Sequence, residues 1–140
     1  MKFFITLSKK TLAVILATVI IFIILAGQII SADLNGIDGS TNAKRMSYLK
    51  GIGLNADDSN TTHKNILIPE NFNDVYSNYN ALQKEAGFDL TDFKGKSATL
   101  HTYSLNSEYD IHLIVYKDRI IGGDIAALNI NGEMKPLTVK

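Results

Sequence analysis

From Thr11 to Ile30 the chain reads TLAVILATVIIFIILAGQII, twenty residues without a charge. Coiled as a helix rising about 1.5 Å per residue, that length matches a hydrocarbon core of roughly 30 Å. The segment predicts a transmembrane anchor over residues 11–30. Apolar residues used in a bilayer cannot also build a core in water, so a folded domain has to come from the residues after Ile30. Lys2, Lys9 and Lys10 precede the segment, and Asp33 and Asp38 lie beyond it. Cytoplasmic flanks carry the excess of basic residues, so residues 1–10 are expected inside the cell and the rest outside, in a single-pass protein of the cell membrane. The alternative is secretion after signal cleavage near Ser31-Ala32. Against it, the apolar stretch exceeds the usual h-region of about 7–15 residues, and Ile30 is bulky where a small residue is preferred.

The formal charge of zero hides an asymmetry. Residues 1–30 hold three Lys and no acid, which leaves eleven basic and fourteen acidic residues in 31–140. No basic cluster after Lys10 is longer than Lys44-Arg45, and neutralising phosphates needs clustered cations, so no nucleic-acid partner is expected. The chain has no cysteine, which excludes disulfides, thiolate metal sites and Cys nucleophiles. The weight of Ile, Asn and Lys fits a bacterial source with an AT-rich genome.

Residues 31–42, SADLNGIDGSTN, are rich in Gly, Ser, Asn and Asp and bury too little to order themselves, so they read as a flexible tether. Residues 43–140 then form the extracytoplasmic domain. A short helix is expected over 43–50, capped by Thr41 or Asn42 and closed at Gly51. Residues 52–56 and 64–68 have strand character, with a polar turn over 57–62 between them. The clearest element comes after Pro69: Phe72, Val75, Tyr76, Tyr79, Leu82 and Ala86 recur at three- and four-residue steps, and Gly87 stops them. That stripe predicts an amphipathic helix laid on a sheet.

Three strand-like runs come next, over 97–105, 109–116 and 119–130, joined by the short loops Asn106-Ser107 and Lys117-Asp118. The expected fold is α+β: an antiparallel β-meander covered by one main amphipathic helix and a short second helix. Gly122-Gly123 inside the third run predicts a bulge, or a place of close approach. Asn131-Gly132 signals a turn, with 137–139 returning as a short edge strand.

A two-residue loop at Asn106-Ser107 would set His101 opposite His112 and Tyr103 opposite Asp110. Two imidazoles and a carboxylate would then share a sheet face, which is the donor set of a small metal-dependent hydrolase. A solvated polar face accounts for the same residues, and a register shift of one would separate the histidines. Ser47 and Lys50 match S-x-x-K without the accompanying motifs, and fit a solvated helix face. Gly122, Gly123 and Asp124 form a possible contact segment, because glycines leave backbone amides accessible. No catalytic residue, cofactor or metal is assigned. The reading is a non-enzymatic binding or regulatory module engaging an envelope protein or peptide.

The stretch ILIPENFNDVYSNYNALQKEAGFDLTDFKGKSATLHTYSL, together with the later LIVYKDRIIGGDIAAL, resembles domain of unknown function family 4830, found in membrane-anchored proteins of Gram-positive bacteria. Its features are IPxxFxxVYxxYNxLQKxxGFDL and the segment Ile120-Ile121-Gly122-Gly123-Asp124. The resemblance runs from about Lys44 to Leu137. It implies the topology and the membrane location, and carries no activity.

Overall fold

A computed structural model describes Thr18, residues 36–129 and residues 132–138. Apart from Thr18, which is helical, the expected anchor lies outside the described residues, as do the basic N-terminus, residues 31–35 of the tether, Asn131 and Val139. Among the described residues no helix is long and apolar enough to cross a membrane. The chain divides into two units, residues 1–35 and 36–140, and the second is the α+β domain.

In chain order the domain comprises β1 (Ile37–Asp38), α1 (Asn42–Gly51), β2 (Asp57–Leu67), α2 (Asp74–Glu85), a 3-10 turn (Leu90–Phe93), β3 (Ser97–Ser104), β4 (Tyr109–Tyr116), β5 (Arg119–Ala127) and β6 (Met134–Pro136). All strands join one antiparallel sheet in the order β1-β5-β4-β3-β2, with β6 also on β5. The expected meander is therefore present as β3-β4-β5. Its second hairpin is tight because Lys117 and Asp118 both take positive φ, 45° and 64°, which matches the twist of the strands they join.

The sheet is covered on both faces. Residues of β4 and β5 are buried in near-continuous runs, as a strand between two layers requires. Leu49 of α1 and Leu54 pack with Tyr103, Ile111, Leu113, Val115, Ile120, Ile125 and Leu137 on one face. On the other, Ile68 and Leu90 pack with Ala98, Ile114 and Ile121, flanked by Phe72, Tyr76 and Tyr79.

Several local expectations are corrected. Residues 52–56 are not a strand: Ile52 caps α1, Gly53 takes φ +84°, and the polar residues after Ala56 begin β2. This edge strand is solvated nearly throughout, so apolar content could not reveal it. Part of the stretch read as tether is ordered, since Ile37 pairs with Ile120 and Thr41 caps α1. The last strand lies at Met134–Pro136, just before the residues expected to form it.

The α2 helix is rolled. The expected core contact Val75 does not face the sheet: it is 76 % exposed and Leu82 is only half-buried, while Asn80 and Gln83 are buried. On a wheel of 3.6 residues per turn, the buried arc is displaced by roughly 60° from the apolar one. Polar contacts hold the roll. Asn80 Oδ1 accepts from the Leu90 amide at 2.8 Å, and Gln83 Oε1 accepts from the Gly123 amide at 2.7 Å.

Candidate functional site

The loop between β3 and β4 determines which side chains meet. Asn106 Oδ1 accepts from the amides of Glu108 and Tyr109 at 2.8 and 3.0 Å, which draws a third residue into the turn. Register consequently shifts by one from the expected pairing. His101 stands opposite Leu113, His112 opposite Thr102, and Tyr103 opposite Ile111. Because side chains alternate along a strand, His101 and His112 fall on opposite faces. Asp110 stays on the face of His112, two residues along β4. The shared His101, His112 and Asp110 surface expected from the sequence is thus divided, and among the described residues no group of three or more His, Asp and Glu could hold a metal.

What His112 meets instead is Asp124, its cross-strand partner on β5. His112 Nδ1 lies 2.9 Å from Asp124 Oδ1, and the Tyr79 hydroxyl donates to Asp124 Oδ2 at 2.8 Å. A carboxylate only accepts, so Nδ1 carries the proton and Nε2 is turned away from the pair. Asp124 has 2 % of its side chain exposed and His112 22 %, so a buried anion stands behind a partly open imidazole. The hydrogen bond to Asp124 raises the His112 pKa above its usual value, burial opposes the rise, Asp110 adds to it, and Lys64 works against it. Burial, and then Asp124, push the Tyr79 phenol far above its ordinary range, so Tyr79 remains a donor.

Gly122 and Gly123 build the shelf on which this cluster rests. An extra residue, Ile121, bulges between the pairs Ile114–Gly122 and Val115–Ile120. Neither glycine takes a positive φ; closeness of approach is what requires them. A Cβ on Gly123 would lie 2.4 Å from the His112 carbonyl oxygen, and one on Gly122 would lie 2.8 Å from Gln83 Oε1. Both alternatives read from the sequence, bulge and close approach, are realised side by side. Gly122, Gly123 and Asp124 are all buried.

Two further features lie outside the candidates read from the sequence. Arg45 of α1, 8 % exposed, donates from Nε to the Tyr103 hydroxyl and from Nη1 to the Gly39 carbonyl, both at 2.7 Å. Tyr103 passes the contact on to Asn42, and Asn42 to Asp58. The second is a groove of about 400 Å³ beside α2, lined by Val75, Tyr76, Asn78, Tyr79, Leu82 and Met134. The apolar period of α2 does mark most of these residues, but as core. Tyr79 belongs to both places, with its ring in the groove and its hydroxyl on Asp124.

The arrangement offers a positioned imidazole and an apolar groove. The Ser47 and Lys50 pair is exposed on α1. Over residues 48–125, more than half its length, the sequence matches the family described as Domain of unknown function (DUF4830), and the chain belongs to that family. No curated protein and no solved structure matches it.

Proposed function

We propose that this DUF4830 protein is a membrane-anchored binding module whose domain lies outside the cytoplasmic membrane and acts by contact rather than catalysis. The carrying observation is the roll of α2. It leaves Val75 at 76 % exposure, and with Met134 of β6, itself 51 % exposed, this residue lines an almost wholly apolar groove. Apolar area turned to water without gain to the core marks a surface meant to be covered. Charge narrows the occupant. Lys84 is paired with Asp89 and Lys135 with Glu133, while Asp74 and Glu85 at the two ends of α2 are exposed and have no basic partner among the described residues. The groove therefore suits a short apolar segment with basic flanks from another envelope protein. The uncharged residues 11–30 and the lysines before them support the anchored arrangement. A metal-dependent hydrolase needed His101, His112 and Asp110 on one face, and the register does not bring them together.

Photocrosslinking in native membranes tests the reading. The full chain carrying Val75→benzoylphenylalanine should give one dominant adduct, and Lys50→benzoylphenylalanine on α1 should give none. Equal labelling at both positions, or labelling at neither, would remove the groove as the working surface. The anchor has its own test: the full chain should stay with the membrane through an alkaline wash, and release of a mature form beginning near Asp33 would establish secretion instead.

A further inference from the structure

On its other side, β3 pairs with β2, and there His101 meets a different imidazole. On the α1 face of the sheet, His63 of β2 pairs directly with His101 of β3, with ring centroids 5.9 Å apart and planes inclined by 34°. We propose that His63 and His101 together bind one divalent transition-metal ion of the imidazole-preferring class, Zn²⁺, Ni²⁺ or Cu²⁺.

The spacing carries the inference. A Zn–N bond of about 2.0–2.1 Å sets each ring centroid roughly 3.2 Å from the ion, so two ligating imidazoles stand about 5.2 Å apart at the tetrahedral angle and at most about 6.4 Å apart. The observed separation falls inside that span, and a small rotation of the exposed His63 side chain closes it further. Opposed residues on neighbouring strands also hold their Cβ atoms at a fixed distance, which one flexible loop could not do. The protonation state is already suitable. Burial, then the charge of Arg45, then His63 hold the His101 pKa down to about 4, so this ligand has no proton to lose at neutral pH. The β2 strand is the sheet edge, which leaves the outer side of the ion open to water or to a donor from another molecule.

The charge of Arg45 opposes a dication as well as a proton. Its Nε and Nη1 are turned to Tyr103 and Gly39, but the charge remains close, and with two protein ligands the site is an exchangeable one. Imidazole is a strong donor for these ions, whereas Mg²⁺ and Ca²⁺ prefer oxygen and should not compete.

The sequence makes the test unusually clean, because the chain has three histidines and no cysteine. The full chain, purified in detergent without a histidine tag or chelator, is titrated calorimetrically with Zn²⁺ and with Ni²⁺. One ion per chain is expected. Outer-shell partners alone are worth about 10–100-fold in metal affinity, so losing a ligand in His63→Asn or His101→Asn should weaken binding at least about tenfold. His112→Asn, on the opposite face, should bind as wild type does. If His101→Asn fails to fold, His63→Asn decides, since His63 is exposed and its loss should leave the melting temperature unchanged. Absence of saturable binding by the wild type, equal binding by His63→Asn, or one ion shared between two chains would each overturn the proposal.

Discussion

The two faces of the sheet use the same device with opposite charge. Under α1, the helix supplies the ion, Arg45, and the sheet supplies the phenol, Tyr103. Under α2, the helix supplies the phenol, Tyr79, and the sheet supplies the ion, Asp124. The difference lies in what completes each cluster. Arg45 is met by neutral oxygens in a relay that reaches an acid only at Asp58. Asp124 is met directly by His112, which can gain or lose a proton in the ordinary pH range. The Arg45 cluster is therefore fixed in charge and the Asp124 cluster is adjustable.

If that contrast is right, the largest effect belongs to His112→Ala. It leaves a buried carboxylate with only the Tyr79 hydroxyl, and removing one partner of a buried pair costs about 3–5 kcal/mol. Urea unfolding of the full chain reads the loss, and a cycle with Asp124→Asn should show strong coupling; additive effects would mean the pair contributes no shared energy. Next comes Gly123→Ala, whose methyl would be driven into the His112 carbonyl on the central hairpin. Overpacking of this kind costs about 1–3 kcal/mol, and a melting temperature equal to wild type would show the strands able to part there. Arg45→Met keeps much of the packing under α1 and leaves Tyr103 bonded to Asn42, orphaning chiefly the Gly39 carbonyl, so about 1–2 kcal/mol is expected. A loss as large as that of His112→Ala would contradict the asymmetry of the two faces.

The last contrast is in pH dependence, where the two histidines act in opposite senses. The pKa of His112 is raised in the folded state, so its contribution is fully present below the unfolded value of 6.5 and fades as pH rises through the raised value. The pKa of His101 is lowered to about 4, so between 6.5 and 4 the unfolded chain binds a proton that the folded one refuses, and stability falls as the solution is acidified. Denaturation midpoints from pH 4 to 9 should show His112→Asn flattening the alkaline limb and His101→Asn flattening the acid limb. Both variants altering the same limb would show these assignments to be wrong.

The parts of the fold legible in the sequence are those whose signals are local. The β3, β4 and β5 strands and the Lys117-Asp118 turn stand within three residues of where β-branched content and loop length place them. The Asn106 loop is not legible in this way, because the third turn residue depends on where the Asn106 amide oxygen points, yet that choice decides whether His101 meets His112. The apolar stripe of α2 is visible, but its direction is not, since Gln83 and Asn80 carry no sign of the backbone amides they cap forty and ten residues away. Asp124 stands out beside its two glycines. Its partner Tyr79, forty-five residues earlier, looks like any other tyrosine of the helix.

Both β1 and β6 lie along the outer edge of β5 and run antiparallel to it, with β6 opposite residues 124–126 and β1 opposite 119–120. They are two ends of one line, broken opposite Ile121, Gly122 and Gly123, where the Gln83 side chain takes the free amide. The polypeptide leaving Pro136 is thus close to the residue at which the domain begins, and the domain is nearly a ring cut at a single point. A linker from Thr138 to Gly36, with new ends opened in the Lys117-Asp118 turn, would move the cut without changing any strand neighbour. Circular permutants of that design would show whether the position of the break matters, or only its number.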